Sequence, residues 1–217
     1  MNVKNALVSR HACRAFNNEQ LQKEILLEVI DEARHTPSWA NTQPWIVYAA
    51  GGEILRQIKS DYLDTYDHKV SAAYDISGIQ QWPSSESARM QKLMSDISDS
   101  VANSGELFSE ANREFFHAPA VLFLYMDKEL GSWSMFDLGA FSQSIMLTAT
   151  EQGLACMPAA ELVRYPSILR KDLKIPEYLS IVIGIAIGYE DKDHPLNQFR
   201  SSRKEMHETA VLKGFAQ

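Results

Sequence analysis

Cysteine is scarce in this chain: Cys13 and Cys156 are the two among 217 residues, and they lie far apart. That excludes a disulfide-stapled scaffold, and two reduced thiols in a cytosolic protein are expected. Long apolar runs are missing too. The longest, Ile181 to Tyr189, has nine residues, against about 20 for a bilayer-crossing helix, so no membrane association is expected. The opening MNVKNALVSRHACRAF holds no apolar stretch of signal-peptide length, which predicts an unprocessed, cytoplasmic chain. There is no G-x-G-x-x-G after a strand, no G-x-x-x-x-G-K-[ST] and no G-x-S-x-G elbow, so these nucleotide and hydrolase sites are excluded. The six histidines form no H-x-x-x-H or H-x-x-E-H pair, and no metal site is expected. Positive charge is also short, at 21 Lys+Arg against 28 Asp+Glu, a net charge of −7. A general nucleic-acid binder needs the opposite balance.

What is present is an ordinary globular composition, 45% hydrophobic and 23% charged, which rules out disorder and fibre. The length fits a single domain over 1–217, able to bury about 70% of the surface of its unfolded chain. Residues 20–35 place Leu21, Ile25, Leu26, Val29, Ile30 and Ala33 on one helical face. A polar loop, TPSWANTQP, leads to a strand at 45–50, then a helix at 53–67 and an irregular stretch at 68–85. Helices are expected at 86–103 and 106–117, and a buried strand at 120–126. A long helix at 133–152, apolar over most of its surface, is of the kind packed against a partner subunit. Gly153 is its expected C-terminal cap. A short helix at 166–173 and a β-branched strand at 179–188, suited to the middle of a sheet, follow. The fold class is α+β.

The basic residues are not spread evenly. Residues 1–18 carry Lys4, Arg10 and Arg14 without an acid; residues 196–204 carry Arg200, Arg203 and Lys204, again without one. These segments total +6 and leave the rest of the chain at −13. If the two meet, they form one anion pocket, and arginine forks suit a phosphate monoester. Two solvated termini are the alternative. Cys13, two residues after His11 and beside Arg14, could be read as an activated thiolate; a small residue on the inner face of a helix is the simpler reading.

Two segments carry a further signal, Ser9-Arg10-His11-Ala12-Cys13-Arg14-Ala15-Phe16 and Pro37-Ser38-Trp39-Ala40-Asn41-Thr42-Gln43-Pro44-Trp45. Together with Gly153 to Pro158, FFHAPAVLF, DLGAFSQSIML and the closing N-x-F-R-S-S-R, they make the chain resemble the FMN-dependent nitroreductase family, in its nitrobenzoate-reductase-like branch. The resemblance implies a central mixed or antiparallel sheet flanked by helices, in an intertwined homodimer with FMN at the interface. It implies phosphate contacts from Arg10, His11, Arg14 and Arg203 with help from Arg200, with Ala12 among the cofactor-binding residues, and flavin contacts from a partner-reaching loop bearing Pro37, Ser38, Trp39 and Asn41. It also implies that a loop of Pro158, Ala159, Ala160 and Glu161 gives a backbone N–H, from Ala160 or Glu161, to flavin N5; no side chain is an essential acid or base. Asp137 matches a position near the cofactor or nicotinamide, or is a helix-surface charge. Phe115 and Phe116, with the stretch 62–85, either line the mouth for a flat aromatic substrate or pack in the core; Trp45 reads as core. Ala12 stands where the family has serine, Trp39 where a small residue is usual, and Glu161 where glycine is frequent.

The activity implied is two-electron ping-pong transfer from NADH or NADPH to nitroaromatics or quinones. Other flavin chemistry on the same scaffold (enone reduction, dehalogenation, metabolite oxidation) and a flavin-binding stress or storage protein stay open at this point.

Overall fold

A four-stranded antiparallel sheet in the order β1-β2-β4-β3 organises the computed structural model, which describes residues 2–215. Its strands are β1 (Ile46–Gly51), β2 (Ala120–Asp127), β3 (Ala155–Ala159) and β4 (Leu179–Gly188). The central β2 reads AVLFLYMD and is buried along nearly its whole length because the sheet is covered on both faces. Its side chains alternate. Val121, Phe123 and Tyr125 join a core with Phe115, Phe116, Leu162 and Leu169. Leu122, Leu124 and Met126 join a second core with Val29, Leu138, Phe141 and Ile145. The fold is thus helices on either side of an antiparallel sheet, as expected from the sequence.

The first core lies beneath α3 (Gly52–Asp67), α5 (Ser104–Arg113) and α7 (Pro166–Leu173). The second lies beneath α2 (Lys23–Ala33) and α6 (Ser132–Glu151), where Trp45 stacks on Phe141 at 4.6 Å. Gly153, at φ +77, ends α6 in a Schellman arrangement: Leu154 N–H donates to Ala149 O at 2.8 Å and Gly153 N–H to Thr150 O at 3.2 Å. On the outer side of α6, Trp133 and Phe136 remain 77% and 70% exposed.

Four features depart from the sequence expectation. A short helix, α1 (Val3–Ser9), precedes the basic N-terminal segment, its first turn held by Asn2 Oδ1 accepting from Asn5 N–H. Cys13 is buried but lies in extended backbone, its N–H donating to Cys156 O at 3.0 Å, and not on a helix. The strand β3 stands where a connecting loop was expected. The helix expected at 106–117 stops at Arg113, and Phe115, Phe116 and His117 take left-handed φ values of 50°, 59° and 59°. Left-handed backbone costs about 1–3 kcal/mol per residue, and burying the two phenylalanine rings, worth about 1.5–3 kcal/mol each, offsets much of that cost. The remaining helices are α4 (Ser84–Ser100), α8 (Pro195–Gln198) and α9 (Met206–Thr209).

Candidate functional site

The two acid-free basic segments meet. Residues 10–16 run alongside the sheet margin, with Ala12 bridged to Cys156 and Phe16 to Glu190. The chain returns to the same place after β4, where α8 brings Asn197 beneath them. Asn197 is 1% exposed; it accepts from Arg14 N–H at 2.6 Å and donates to Ala15 O at 2.7 Å and Asp191 O at 2.8 Å. A cleft of about 410 Å³ results, lined by Arg10, His11, Ala12, Arg14, Arg200 and Arg203, with Leu7 and Val8 of α1 at its edge.

The cations of this cleft are held mostly by neutral groups. Arg14 donates to Ala12 O at 3.3 Å, lies over the Phe108 ring at 5.0 Å, and leaves its buried Nε without a partner. Arg200 Nη1 donates to the carbonyls of Asn197 and Phe199, and Arg203 Nη1 to Ser201 Oγ at 2.7 Å. His11 is the exception, its Nε2 paired with Glu190 Oε1 at 2.8 Å. Burial lowers the pKa of Arg14 below the ordinary guanidinium value, the response of a cation taken from water.

The loop after α2 forms a separate cluster. Ala40, Asn41 and Gln43 have φ of 47°, 58° and 45°, and Ser38 Oγ accepts from Gln43 N–H at 2.9 Å. Asp137 of α6 anchors this loop: its Oδ2 accepts from Trp39 N–H at 3.1 Å, and the residue is 5% exposed. Asp137 is therefore not a helix-surface charge. Trp39 itself is 71% exposed, and Pro37, Ser38, Trp39 and Asn41 do not border the arginine cleft within one chain.

A third cluster closes β3. Pro158 and Ala159 are paired strand residues, opposite Ile185 and Gly184, and not loop residues. Ala160 and Glu161 open a 3₁₀ turn, Ala160–Val163, whose leading N–H groups have no acceptor within the turn. Tyr62 pins the turn by donating to Leu162 O at 3.0 Å. Phe115 and Phe116, 1% and 0% exposed, pack in the core; they do not line a substrate mouth. The stretch 68–82 is tied down by Ala73 N–H to Arg164 O, Tyr165 Oη to Val70 O, and Asp75 to both Arg170 and Ile181 N–H. Among the described residues no group of His, Cys, Asp or Glu could hold a metal, and no helix is long and apolar enough to cross a membrane.

The family model described as "Nitroreductase family" matches residues 7–189. The chain belongs to the nitroreductase family. Among relatives, it is 28% identical to a 4-nitrobenzoate reductase of Pseudomonas putida over 96% of this chain and 94% of that one. It is 27% identical to a chloronitrobenzene nitroreductase of Comamonas testosteroni, over 92% and 91%. Among solved structures, the FMN-dependent nitroreductase NfnB from Mycobacterium smegmatis, in complex with NADPH, superposes with a TM-score of 0.89 at 25% identity, covering 97% of each chain. Two residues of this nitroreductase's clusters escape a reading of the sequence. Asn197 opens N-x-F-R-S-S-R with no local sign that it holds Arg14, and Glu190 follows the last strand with no local sign that it pairs with His11.

Proposed function

We propose that this chain is an FMN-dependent oxidoreductase that takes a hydride from NADH or NADPH and passes two electrons to a nitroaromatic or quinone acceptor. In this reading it works in the cytoplasm as a homodimer of single-domain subunits. The observation that carries the proposal is the arginine cleft, and within it the buried, unpartnered Nε of Arg14. An unmade hydrogen bond of this kind costs about 1–3 kcal/mol, and a phosphate oxygen would make it. Arg10, His11, Arg14, Arg200 and Arg203 would hold the FMN phosphate, with Ala12 beside it.

The three clusters stand apart within one chain, and a two-subunit site would join them. The loop bearing Ser38 and Asn41 would reach the flavin of the second subunit, held in shape by Asp137. The exposed Val8, Trp133 and Phe136, at 78%, 77% and 70%, supply apolar surface for such an interface. Bound FMN would supply the redox chemistry, and the protein supplies position and electrostatics. An N–H from Ala160 or Glu161 toward the flavin edge would favour added electron density there. One exposed flavin face would serve donor and acceptor in turn, hence ping-pong order. The activities named for the relatives support nitro compounds as acceptors.

The purified protein should be yellow, run at twice the subunit mass, bleach with NADH or NADPH in air-free buffer, and recover colour when a nitroaromatic is added. Arg14→Ala and Arg203→Ala should each weaken FMN binding roughly ten- to a hundredfold, as about 1.5–3 kcal/mol for a charge-assisted contact implies, and far more than Lys4→Ala. Riboflavin, without a phosphate, should bind poorly and be little affected. Equal affinity for riboflavin and FMN would count against the cleft as the phosphate site.

A further inference from the structure

Arg164 follows the 3₁₀ turn Ala160–Val163 and sits among phenols. Its Nε donates to Tyr165 Oη at 3.2 Å, and its Cζ lies over the Tyr66 and Tyr165 rings, 5.5 and 5.6 Å from their centroids. One terminal nitrogen, Nη1, reaches both oxygens of Glu161, at 3.4 and 3.3 Å, and the two side chains are 27% and 24% exposed.

That carboxylate contact is weak by its geometry. Strong guanidinium–carboxylate pairs run at about 2.7–2.9 Å and engage two nitrogens in parallel; this one is longer and uses a single nitrogen. The π faces and the Tyr165 hydroxyl hold the guanidinium independently of Glu161. The chain carries a net charge of −7, so its long-range field disfavours an approaching anion. Binding one therefore calls for a local cation.

We propose that Arg164 selects acceptors that carry a carboxylate. The acceptor's carboxylate displaces Glu161 and takes both terminal nitrogens of Arg164, whose guanidinium the Tyr66 and Tyr165 rings hold in place. Glu161 occupies the carboxylate position when no acceptor is bound. The inference rests on the nitroaromatic-reductase reading above, and it adds the acceptor class and the residue that reads it.

The test is the ratio of kcat/KM for 4-nitrobenzoate to that for nitrobenzene, measured on FMN-loaded enzyme at fixed NADPH. Wild type should favour the carboxylate. Arg164→Gln should lower the ratio tenfold or more, through KM for the benzoate, and Arg164→Lys should restore part of it. Glu161→Gln should raise the ratio several-fold, since it removes the internal competitor. Arg113→Gln is the control for the general field: that guanidinium lies over the same Tyr66 ring at 5.0 Å but is held by Asp67 at 2.7 Å, and its ratio should shift less than twofold. A ratio unmoved by Arg164→Gln, or moved equally by Arg113→Gln, overturns the proposal. If Arg164→Gln fails to hold FMN, Glu161→Gln decides, and a ratio that stays or falls overturns it. A wild type inactive on both acceptors overturns the reductase reading itself; one that reduces nitrobenzene with no carboxylate preference overturns only this inference.

Discussion

Asn197 holds the backbone of Arg14. Its Oδ1 accepts from the Arg14 N–H at 2.6 Å, and its Nδ2 reaches the carbonyls of Ala15 and Asp191. The contact spans most of the chain and joins the two basic segments that the cleft needs. Asn197→Ala strands the Arg14 N–H in a buried site, while Ala15 O keeps the Asp191 N–H and Asp191 O keeps the His194 N–H. The expected loss is about 1–3 kcal/mol of stability for the buried group left unpaired, with a matching fall in FMN affinity. Thermal unfolding and FMN titration check this together. Destabilisation with unchanged FMN affinity would show that Asn197 supports the fold without placing Arg14 for phosphate.

Much of this architecture is legible in the sequence, for reasons that differ by element. The β-branched run of β4 and the apolar run of β2 need no partner information, because a strand buried on both faces is apolar throughout. The strand β3 hides because ACMPA is short and contains Pro158, which an edge strand tolerates and a central one does not. The turn at Phe115–His117 hides because three consecutive residues take left-handed φ with no glycine or asparagine among them to mark it. Within the candidate site, the arginines are legible as charge without acid. Their supports are not: Asn197 to Arg14, Asp137 to Trp39 and Glu190 to His11 are long-range pairs that no local pattern encodes.

The thiols should be silent. Burial pushes the Cys13 thiol up to about 12, and its S–H donates to Ala15 O at 3.1 Å; burial raises Cys156 as well. Although Cys13 N–H donates to Cys156 O, the residue paired with Cys156 is Ala12, so neighbouring Cys13 points to the other face and no disulfide forms. Neither thiol should react with an aromatic disulfide reagent until the protein unfolds.

The same groups set an alkaline limit. A thiol whose folded pKa is raised stays protonated while the unfolded chain releases its proton, so stability is full below the ordinary value of 9.0 and is lost as pH climbs toward about 12. Tyr62 and Tyr125, both raised by burial, act in the same direction. The denaturation midpoint should fall steadily above pH 9; a midpoint flat from pH 8 to 11 would contradict the burial of these groups.

A Cβ on Gly184 would stand 2.5 Å from Leu162 Cβ and 3.1 Å from its Cδ1. Leu162 is fully buried and belongs to the turn that follows β3. Gly184→Ala therefore overpacks the sheet against that turn, at a cost of about 1–3 kcal/mol. Gly105 provides the contrast: it lies in α5 with nothing within 4 Å of its Cβ position, so Gly105→Ala should stabilise by up to about 1 kcal/mol. Thermal midpoints moving in opposite directions are the expected result.

The last prediction concerns the N–H groups that open the turn at Ala160. A backbone donor is removed by proline and kept by alanine. Ala160 is a suitable place for proline, because it begins the 3₁₀ turn and the preceding Ala159 has φ −143° and ψ 131°, the extended backbone that a residue before proline prefers. Glu161→Pro is a harsher change, since its preceding residue already lies within the turn. If Ala160 faces flavin N5, Ala160→Pro should retain FMN yet be reduced by NADPH more slowly than Glu161→Ala, which keeps its N–H. A lost donor at a site of developing charge is worth about 2–4 kcal/mol, a rate difference readily seen by anaerobic stopped-flow. A normal rate in Ala160→Pro with slow reduction in Glu161→Pro moves the donor to Glu161. Normal rates in both, with FMN bound normally, mean that this turn does not face the flavin edge, and the arginine cleft would then stand as a phosphate site alone.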